Sequence, residues 1–270
     1  MCETCGCAVT AASPVAAHGH THPITPAPAT THTITVMRGL LEQNTHQAGH
    51  NRAHFDAHGV LAINLMSAPG SGKTALLERT IDELAGRFNC AVIEGDLETD
   101  NDARRIRRHG VPAIQITTGA TCHLDAAMVH EALHRLPLEG LDVLFIENVG
   151  NLVCPASFAL GTHADVTLLS VPEGDDKPAK YPVMFRGAAL VLVSKADLLP
   201  VFEDFSVPSV TQQVRALANP APVLTVSSKT GLGIGQWIDW IAAAIAARRA
   251  LRPDAITRVA SGEARHPELR

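Results

Sequence analysis

The stretch Val60 to Thr74 constrains the fold more than any other part of the chain, because an apolar run, VLAINLM, leads directly into SAPGSGKT. A continuous apolar run suits a strand covered on both faces, and a Gly-rich turn ending in Lys-Thr suits the start of a helix. Ser67 to Thr74 matches the phosphate-loop pattern G-x-x-x-x-G-K-S/T except that Ser67 stands in place of the first Gly. The residue types follow from the chemistry. Gly70 and Gly72, flanking Ser71, let the backbone curl so that successive N–H groups face phosphate, and the helix N-terminus adds partial positive charge. Lys73 is expected to neutralise the β and γ phosphates and the Thr74 hydroxyl to ligate Mg²⁺. The helix that opens here is expected over Lys73 to Leu84.

Further apolar runs recur at Cys90 to Ile93, Ala113 to Thr117, Leu141 to Ile146, Val166 to Val171, Ala188 to Val193 and Val223 to Val226. Helix-length segments separate most of them. The expected fold is therefore α/β, a largely parallel sheet wrapped by helices, with ligands beyond the C-terminal strand ends. A length of 270 residues with 46% hydrophobic content supports one large domain of this kind. Residues 1–33 carry repeated Ala, Thr, Pro and His with hardly any large apolar side chain and read as a flexible Cys/His-containing metal-binding arm. Residues 34–58 read as a helix, 59–250 as the nucleotide-binding domain, and 251–270 as a tail, with the Arg-rich end after Ala246 fraying.

Two acidic segments test the phosphate-loop reading. DVLFIENVG, Asp142 to Gly150, ends a strand in Glu147 and then Gly150, where such proteins place an acid near Mg²⁺ and a glycine whose N–H senses the γ-phosphate. EGDLETD follows the Cys90 to Ile93 run, and Asp96 is the candidate there for Mg²⁺ contact or for orienting the attacking water; a solvated acidic turn is the competing reading. VLVSKADL, Val191 to Leu198, resembles the N/T-K-x-D element that reads guanine, with Ser194 in place of Asn. A carboxylate at Asp197, beside Lys195, accepts from both N1–H and the exocyclic amine of guanine, whereas adenine offers it a lone pair. Ser227, Ser228 and Lys229 follow the last strand as the other half of the base pocket. The nucleotide is therefore expected to be GTP or GDP.

The cysteines point to metal. Cys2, Cys5 and Cys7 fall within the first seven residues, a distribution unlike a disulfide framework, and with Met1 removed the amine beside Cys2 adds a nitrogen. Thiolate with amine or amide nitrogen suits square-planar Ni²⁺, with Zn²⁺ the alternative ion. Cys122, His123 and Cys154 form a second candidate set, too few donors to close around an ion within one chain; a symmetric dimer would supply both halves. Buried structural cysteines are the competing reading, and Cys90 is assigned to the core. His18, His20 and His22 form a short patch in the arm. His46, His50, His54 and His58 recur every four residues on one helical face and read as a solvated stripe in preference to a metal ladder.

With these elements in order, the chain resembles the HypB family of nickel-binding GTPases. The resemblance rests on C-x-x-C-G-C at Cys2 to Cys7, NLMSAPGSGKT at Asn64 to Thr74, Cys122-His123 with Cys154, and EGDDKPAKYP at Glu173 to Pro182, where Lys177 and Lys180 are the candidate charge contacts. It implies a G domain of the SIMIBI type, slow Mg²⁺-dependent GTP hydrolysis, GTP-linked homodimerisation, and delivery of nickel to the hydrogenase large subunit with a HypA-type zinc protein. The urease accessory GTPase, which has the same fold class, would carry a Cys-Pro-His motif that this sequence lacks, and a ParA or MinD-like ATPase would carry lysine where Ala68 stands. A passive nickel-binding protein would not need Lys73, Thr74 and Glu147. A net charge of −5 without strong blocks gives no reason to expect nucleic acid, and the sequence has no run of bilayer length and no signal-peptide core, so a cytoplasmic location is expected.

Overall fold

The computed structural model describes residues 31–96, 101–119 and 121–251, with side chains from Gly39 onward. The thiols Cys2, Cys5 and Cys7, the His18–His20–His22 patch, positions 97–100 of the acidic segment and the tail from 252 lie outside the described residues.

The elements run α1 (Thr31–His58), β1 (Leu61–Ser67), α2 (Lys73–Leu84), β2 (Cys90–Asp96), α3 (Asn101–Arg107), β3 (Ala113–Thr117), α4 (Ala126–Leu133), β4 (Val143–Glu147), β5 (Ala164–Ser170), α5 (Lys177–Lys180), α6 (Pro182–Gly187), β6 (Leu190–Ser194), α7 (Val207–Ala216), β7 (Val223–Thr225) and α8 (Ile234–Ala250). The seven strands form one sheet in the order β3-β2-β4-β1-β5-β6-β7, and every pairing is parallel. β1 is thus the central strand, and the turn after it opens at the C-terminal edge where ligands of such sheets bind.

The side-chain alternation of β1 divides the core into two layers. Leu61, Ile63 and Leu65 pack with Leu76, Leu77, Ile81 and Leu84 of α2 and with Trp237, Ile238, Ile241 and Ile245 of α8. Ala62, on the other face, belongs with Phe55 of α1 and with Val129 and Leu133 of α4. The indole N–H of Trp237 donates to Thr80 Oγ1 at 2.8 Å, which removes the cost of burying it. At the far end, Met184 and Phe185 of α6 pack with Val210 and Val214 of α7 under β5 and β6.

Three local expectations are corrected. β2 continues to Asp96 instead of ending at Ile93, because Glu94, Gly95 and Asp96 pair with Gln115, Ile116 and Thr117 of β3. The Arg-rich end of α8 is helical to Ala250; Arg248 donates to Asp56 at 2.6 Å and Arg249 to Asp142, ties that hold the last turn. α1 starts at Thr31 instead of residue 34, and it is fastened to the sheet domain. Its Ala48 carbonyl approaches Gly161 so closely that a Cβ there would stand 2.3 Å away, and Arg52 Nε donates to the Gly161 carbonyl at 2.7 Å.

Candidate functional site

The phosphate loop takes the curled form that its glycines permit, with Gly70 at φ 75° and Gly72 at φ 91°, a region costly for residues with a Cβ. Ser71 Oγ lies 2.7 Å from the Ala68 carbonyl and from Glu173 Oε1, and Glu173 also accepts from Ser170 N and Ser170 Oγ. This carboxylate therefore braces the loop from the end of β5. Lys73 Nζ donates to Ser67 Oγ at 3.1 Å and stands 3.9 Å from Glu147 Oε1, to which the Thr74 hydroxyl donates at 2.9 Å. A cavity of about 380 Å³ opens here, lined by Gly70, Gly72, Lys73, Thr74, Asp96, Glu147 and Gly150 among others. Gly150 abuts the loop directly. A Cβ on it would lie 2.8 Å from Pro69 Cα and 2.9 Å from Pro69 N, so only glycine fits without moving backbone.

β2 and β4 bring Glu94 directly opposite Glu147 in the ladder, a partner that spacing in sequence does not reveal. Both are buried. Burial, with the Glu147 charge beside it, pushes the Glu94 carboxyl up to about 11, so Glu94 holds a proton at neutral pH. Burial raises Glu147 as well, and Lys73 opposes that rise. The donor set fits Mg²⁺: a threonine hydroxyl beside a carboxylate whose Oε2 is buried and without a hydrogen-bond partner. Asp102 and Arg105 of α3 also line the cavity, with Arg105 bonded to Glu78 and Asp102. Neither was legible as a site residue, because a charged helix looks the same wherever it faces.

The base-reading elements converge beside the loop. Lys195 adopts φ 56°, and a Cβ on Gly72 would stand 4.0 Å from Lys195 Cε, so the end of β6 overhangs the phosphate loop. Ser194 Oγ donates to the Ser71 carbonyl at 2.7 Å. The serine substitution therefore keeps a tie to the loop, because the two backbones lie close enough for a short side chain to reach. Ser227 Oγ donates to Asp197 Oδ1 at 2.6 Å, and this bond, helped by Lys229 and Lys195, holds the Asp197 carboxyl below its ordinary range. Ser228 and Lys229 continue the same turn. Of the two lysines in the 173–182 stretch, Lys177 lines a cavity with Ala68, Pro69 and Gly150, whereas Lys180 pairs with Asp176.

Cys122, His123 and Cys154 come together: one ligand atom of each lies within 4.8 Å of the others, and the two sulfurs are 3.2 Å apart. Among the described residues this is the group of three such donors that closes to that distance. His123 stacks on Phe158 at 4.0 Å, burial lowers its pKa, and its Nδ1 is buried without a partner, so a neutral imidazole nitrogen is available for a metal. Cys90, by contrast, is buried in the core, and its thiol is pushed up to about 11 by that burial.

A buried chain of amides connects this triad to the phosphate end. Asn148, adjacent to Glu147, accepts through Oδ1 from Leu124 N at 3.1 Å and Val149 N at 3.0 Å, and donates to Asn64 Oδ1 at 3.2 Å. Asn64 in turn donates to Asp165 at 3.1 Å. Leu124 follows His123 and fills the space over Gly95, where a Cβ would meet it at 2.7 Å. The loop that carries Cys122 and His123 is therefore wedged between the ends of β2 and β4, which carry the buried acids.

Residues 61–225 match the family model CobW/HypB/UreG, nucleotide-binding domain. The hydrogenase maturation factor HypB of Azotobacter vinelandii is 51% identical over 224 residues, spanning 83% of this chain and 73% of that protein. HypB of Escherichia coli K12 is 50% identical over 208 residues, spanning 77% and 71%. Among solved structures, HypB from Helicobacter pylori in complex with nickel superposes with a TM-score of 0.73 at 43% identity, covering 76% of this chain and 96% of that one. HypB from Archaeoglobus fulgidus gives 0.70 at 38% identity, covering 76% and 99%. With a parallel sheet opening into a phosphate loop, a Cys-His-Cys group beside it and relatives of this similarity, the chain belongs to the HypB family of P-loop nucleotide-binding proteins.

Proposed function

We propose that this protein is a Mg²⁺-dependent GTPase that carries Ni²⁺ during hydrogenase maturation, delivering it to the hydrogenase large subunit together with a HypA-type zinc protein. The observation that carries the reading is the Asn148 link between the acid-bearing end of β4 and the Cys122–His123–Cys154 triad. The names of the relatives and the nickel complex of one of them support the choice of pathway and ion; Zn²⁺ is the alternative occupant.

In this reading Gly70 to Thr74 hold the phosphates through backbone N–H groups, and Lys73 leaves Ser67 and Glu147 to meet the β and γ oxygens. Thr74, Glu147 and Asp96 would hold Mg²⁺, which when bound would supply electrostatic neutralisation of the phosphate oxygens. Asp96 orients the attacking water, and Gly150 N–H reports the γ-phosphate. Asp197 selects guanine, with Lys195, Ser227, Ser228 and Lys229 around the base. Any shift of Gly150 is passed through Asn148 to Leu124 and so to His123. Cys154, four residues beyond Gly150, moves with the same segment, and two copies of the triad across a dimer axis complete the coordination. Cys2, Cys5 and Cys7 form a separate nickel site on the 1–33 arm.

The test is GTP against ATP turnover by the full chain, with and without Ni²⁺ and Zn²⁺. GTP hydrolysis that is slow, abolished by Lys73→Ala and altered by metal is expected. Equal turnover of ATP would overturn the assignment of Asp197, and nickel binding without hydrolysis would reduce the protein to a passive metal binder.

A further inference from the structure

The four-residue spacing of His46, His50, His54 and His58 suggests a solvated stripe, but the structure divides it. His46 and His50 are exposed, in edge contact at 4.7 Å between ring centroids. His54 and His58 are half-buried, 5.0 Å apart, on the helix that packs against α4, where His130 and His134, the cap residue just past the end of α4, form a second pair spaced by four, with centroids 4.7 Å apart. Burial lowers the pKa of His54, and the nearby imidazoles of His58, His130 and His134 lower it further. Four imidazoles from two packed helices thus share one seam.

The hydrogen bonds around Asn51 decide which nitrogens are available. Asn51 is fully buried, and its Nδ2 donates to the carbonyls of Ala126 at 2.8 Å and Leu160 at 3.1 Å, which uses both amide hydrogens. Its Oδ1 is therefore the acceptor toward His130 Nδ1 at 3.0 Å, and His130 must carry its proton on Nδ1. The lone pair of His130 then lies on Nε2, and that atom faces His134 Nε2 at 3.3 Å. Two nitrogens bound to one tetrahedral ion at about 2.1 Å stand about 3.4 Å apart. The pair is thus at ligating separation, and a buried amide holds one ring by its other nitrogen in the manner of outer-shell partners of metal-bound histidine. On the facing helix, His54 Nδ1 is buried and without a hydrogen-bond partner.

We propose that His130 and His134, completed by His54 and His58 through side-chain rotation, form a further divalent-metal site on the α1–α4 seam. Its all-nitrogen donor set takes borderline ions such as Ni²⁺, Zn²⁺ or Cu²⁺ and not Mg²⁺ or Ca²⁺. The same Asn51 touches the first residue of α4, just after Cys122 and His123, and Leu160, just after Phe158, so an ion in the seam would sit beside the frame of the Cys-His-Cys triad.

The full chain should be titrated with Ni²⁺ against a competing chelator as wild type, as His134→Ala and as His54→Ala/His58→Ala. The wild type is expected to show one binding class that weakens tenfold or more in each variant, while the other classes and GTP turnover stay unchanged. His134 is exposed, so its replacement should leave metal-free thermal unfolding unaltered. Cu²⁺ bound to the wild type should show electron-spin hyperfine lines from two or more imidazole nitrogens that are lost in His134→Ala, and repeating the titrations with Zn²⁺ ranks the ions. Unchanged nickel stoichiometry and affinity in both variants, or a nickel-loaded crystal with anomalous signal at the triad and none between α1 and α4, would overturn the proposal. Neither result bears on GTP hydrolysis.

Discussion

Replacing Gly150 by alanine probes the packing of the segment after β4 against the phosphate loop. The added Cβ would stand 2.8 Å from Pro69 Cα, 2.9 Å from Pro69 N and 3.2 Å from Pro69 Cγ. Carbon contacts settle near 3.5–4.0 Å, so relief requires a displacement of about 0.7 to 1 Å. The atoms in the way are backbone and a rigid ring, not the end of a flexible side chain, and the loop that would move is the one leading to Lys73 and Thr74. A misplacement of about 1 Å at a reacting centre costs about 100-fold, equivalent to about 3 kcal/mol of transition-state stabilisation, and overpacking costs a further 1–3 kcal/mol or so of stability. Phosphate release at saturating GTP should therefore fall about 100-fold, and affinity for a non-hydrolysable GTP analogue should fall more than affinity for GDP. Gly187→Ala is the control, since nothing lies within 4 Å of a Cβ there and its φ is not positive. Turnover within threefold of wild type, at an unchanged unfolding temperature, would refute the packing argument.

Asp197→Asn should move nucleotide preference from guanine towards xanthine, whose extra oxygen needs a donor; competition between GTP and XTP reads this directly. Glu94→Gln should stabilise the protein at neutral pH. Glu94 is protonated when folded and ionised when unfolded between its ordinary 4.5 and about 11, so its folded form loses stability as pH rises through that window. At about 1.4 kcal/mol per pH interval, this costs about 3 kcal/mol at pH 7, and thermal unfolding of variant and wild type should diverge from pH 5 to pH 8. A constant difference across that range would show that Glu94 does not carry the proton. Asn148→Ala leaves the Leu124 and Val149 amides without their partner, each at a cost of about 1–3 kcal/mol. Nickel affinity of the variant should no longer differ between GDP and a GTP analogue in calorimetry, and a retained difference would remove Asn148 from the coupling.

Much of the fold is local in origin and therefore legible in the chain. The β3 and α2 boundaries fall where the apolar runs and the Lys73 turn put them, and the other strands begin or end within a few residues of their runs. The misses share a cause. β2 runs on through Glu94, Gly95 and Asp96 because its neighbours in the sheet, β3 and β4, offer partners. The last turn of α8 is held by Asp56 and Asp142, residues far away in sequence. In the site, Gly70, Lys73, Thr74, Glu147 and Asp197 could be named from spacing because each belongs to a short motif whose geometry is built by consecutive backbone. Glu94, Asn148, Glu173 and Arg105 could not, since each reaches the site from a different element.

By itself the sequence determined that a β-strand would open into a phosphate cradle, and its S-K-A-D element and its clustered thiols and imidazoles carried the expectations of a guanine nucleotide and of metal. These follow from composition within a few residues, where backbone conformation and side-chain chemistry act together. Tertiary structure alone decided which donors meet. Cys122 and Cys154 are separated by 32 positions, yet their sulfurs lie 3.2 Å apart because β4 sits between β2 and β1. The ladder likewise set Glu94 against Glu147, which with burial raises the Glu94 carboxyl, and the packing of α1 on α4 turned half of a histidine stripe inward towards His130 and His134. Contact between distant residues depends on strand order and helix packing, which are settled by the burial of the whole core and not by any one segment.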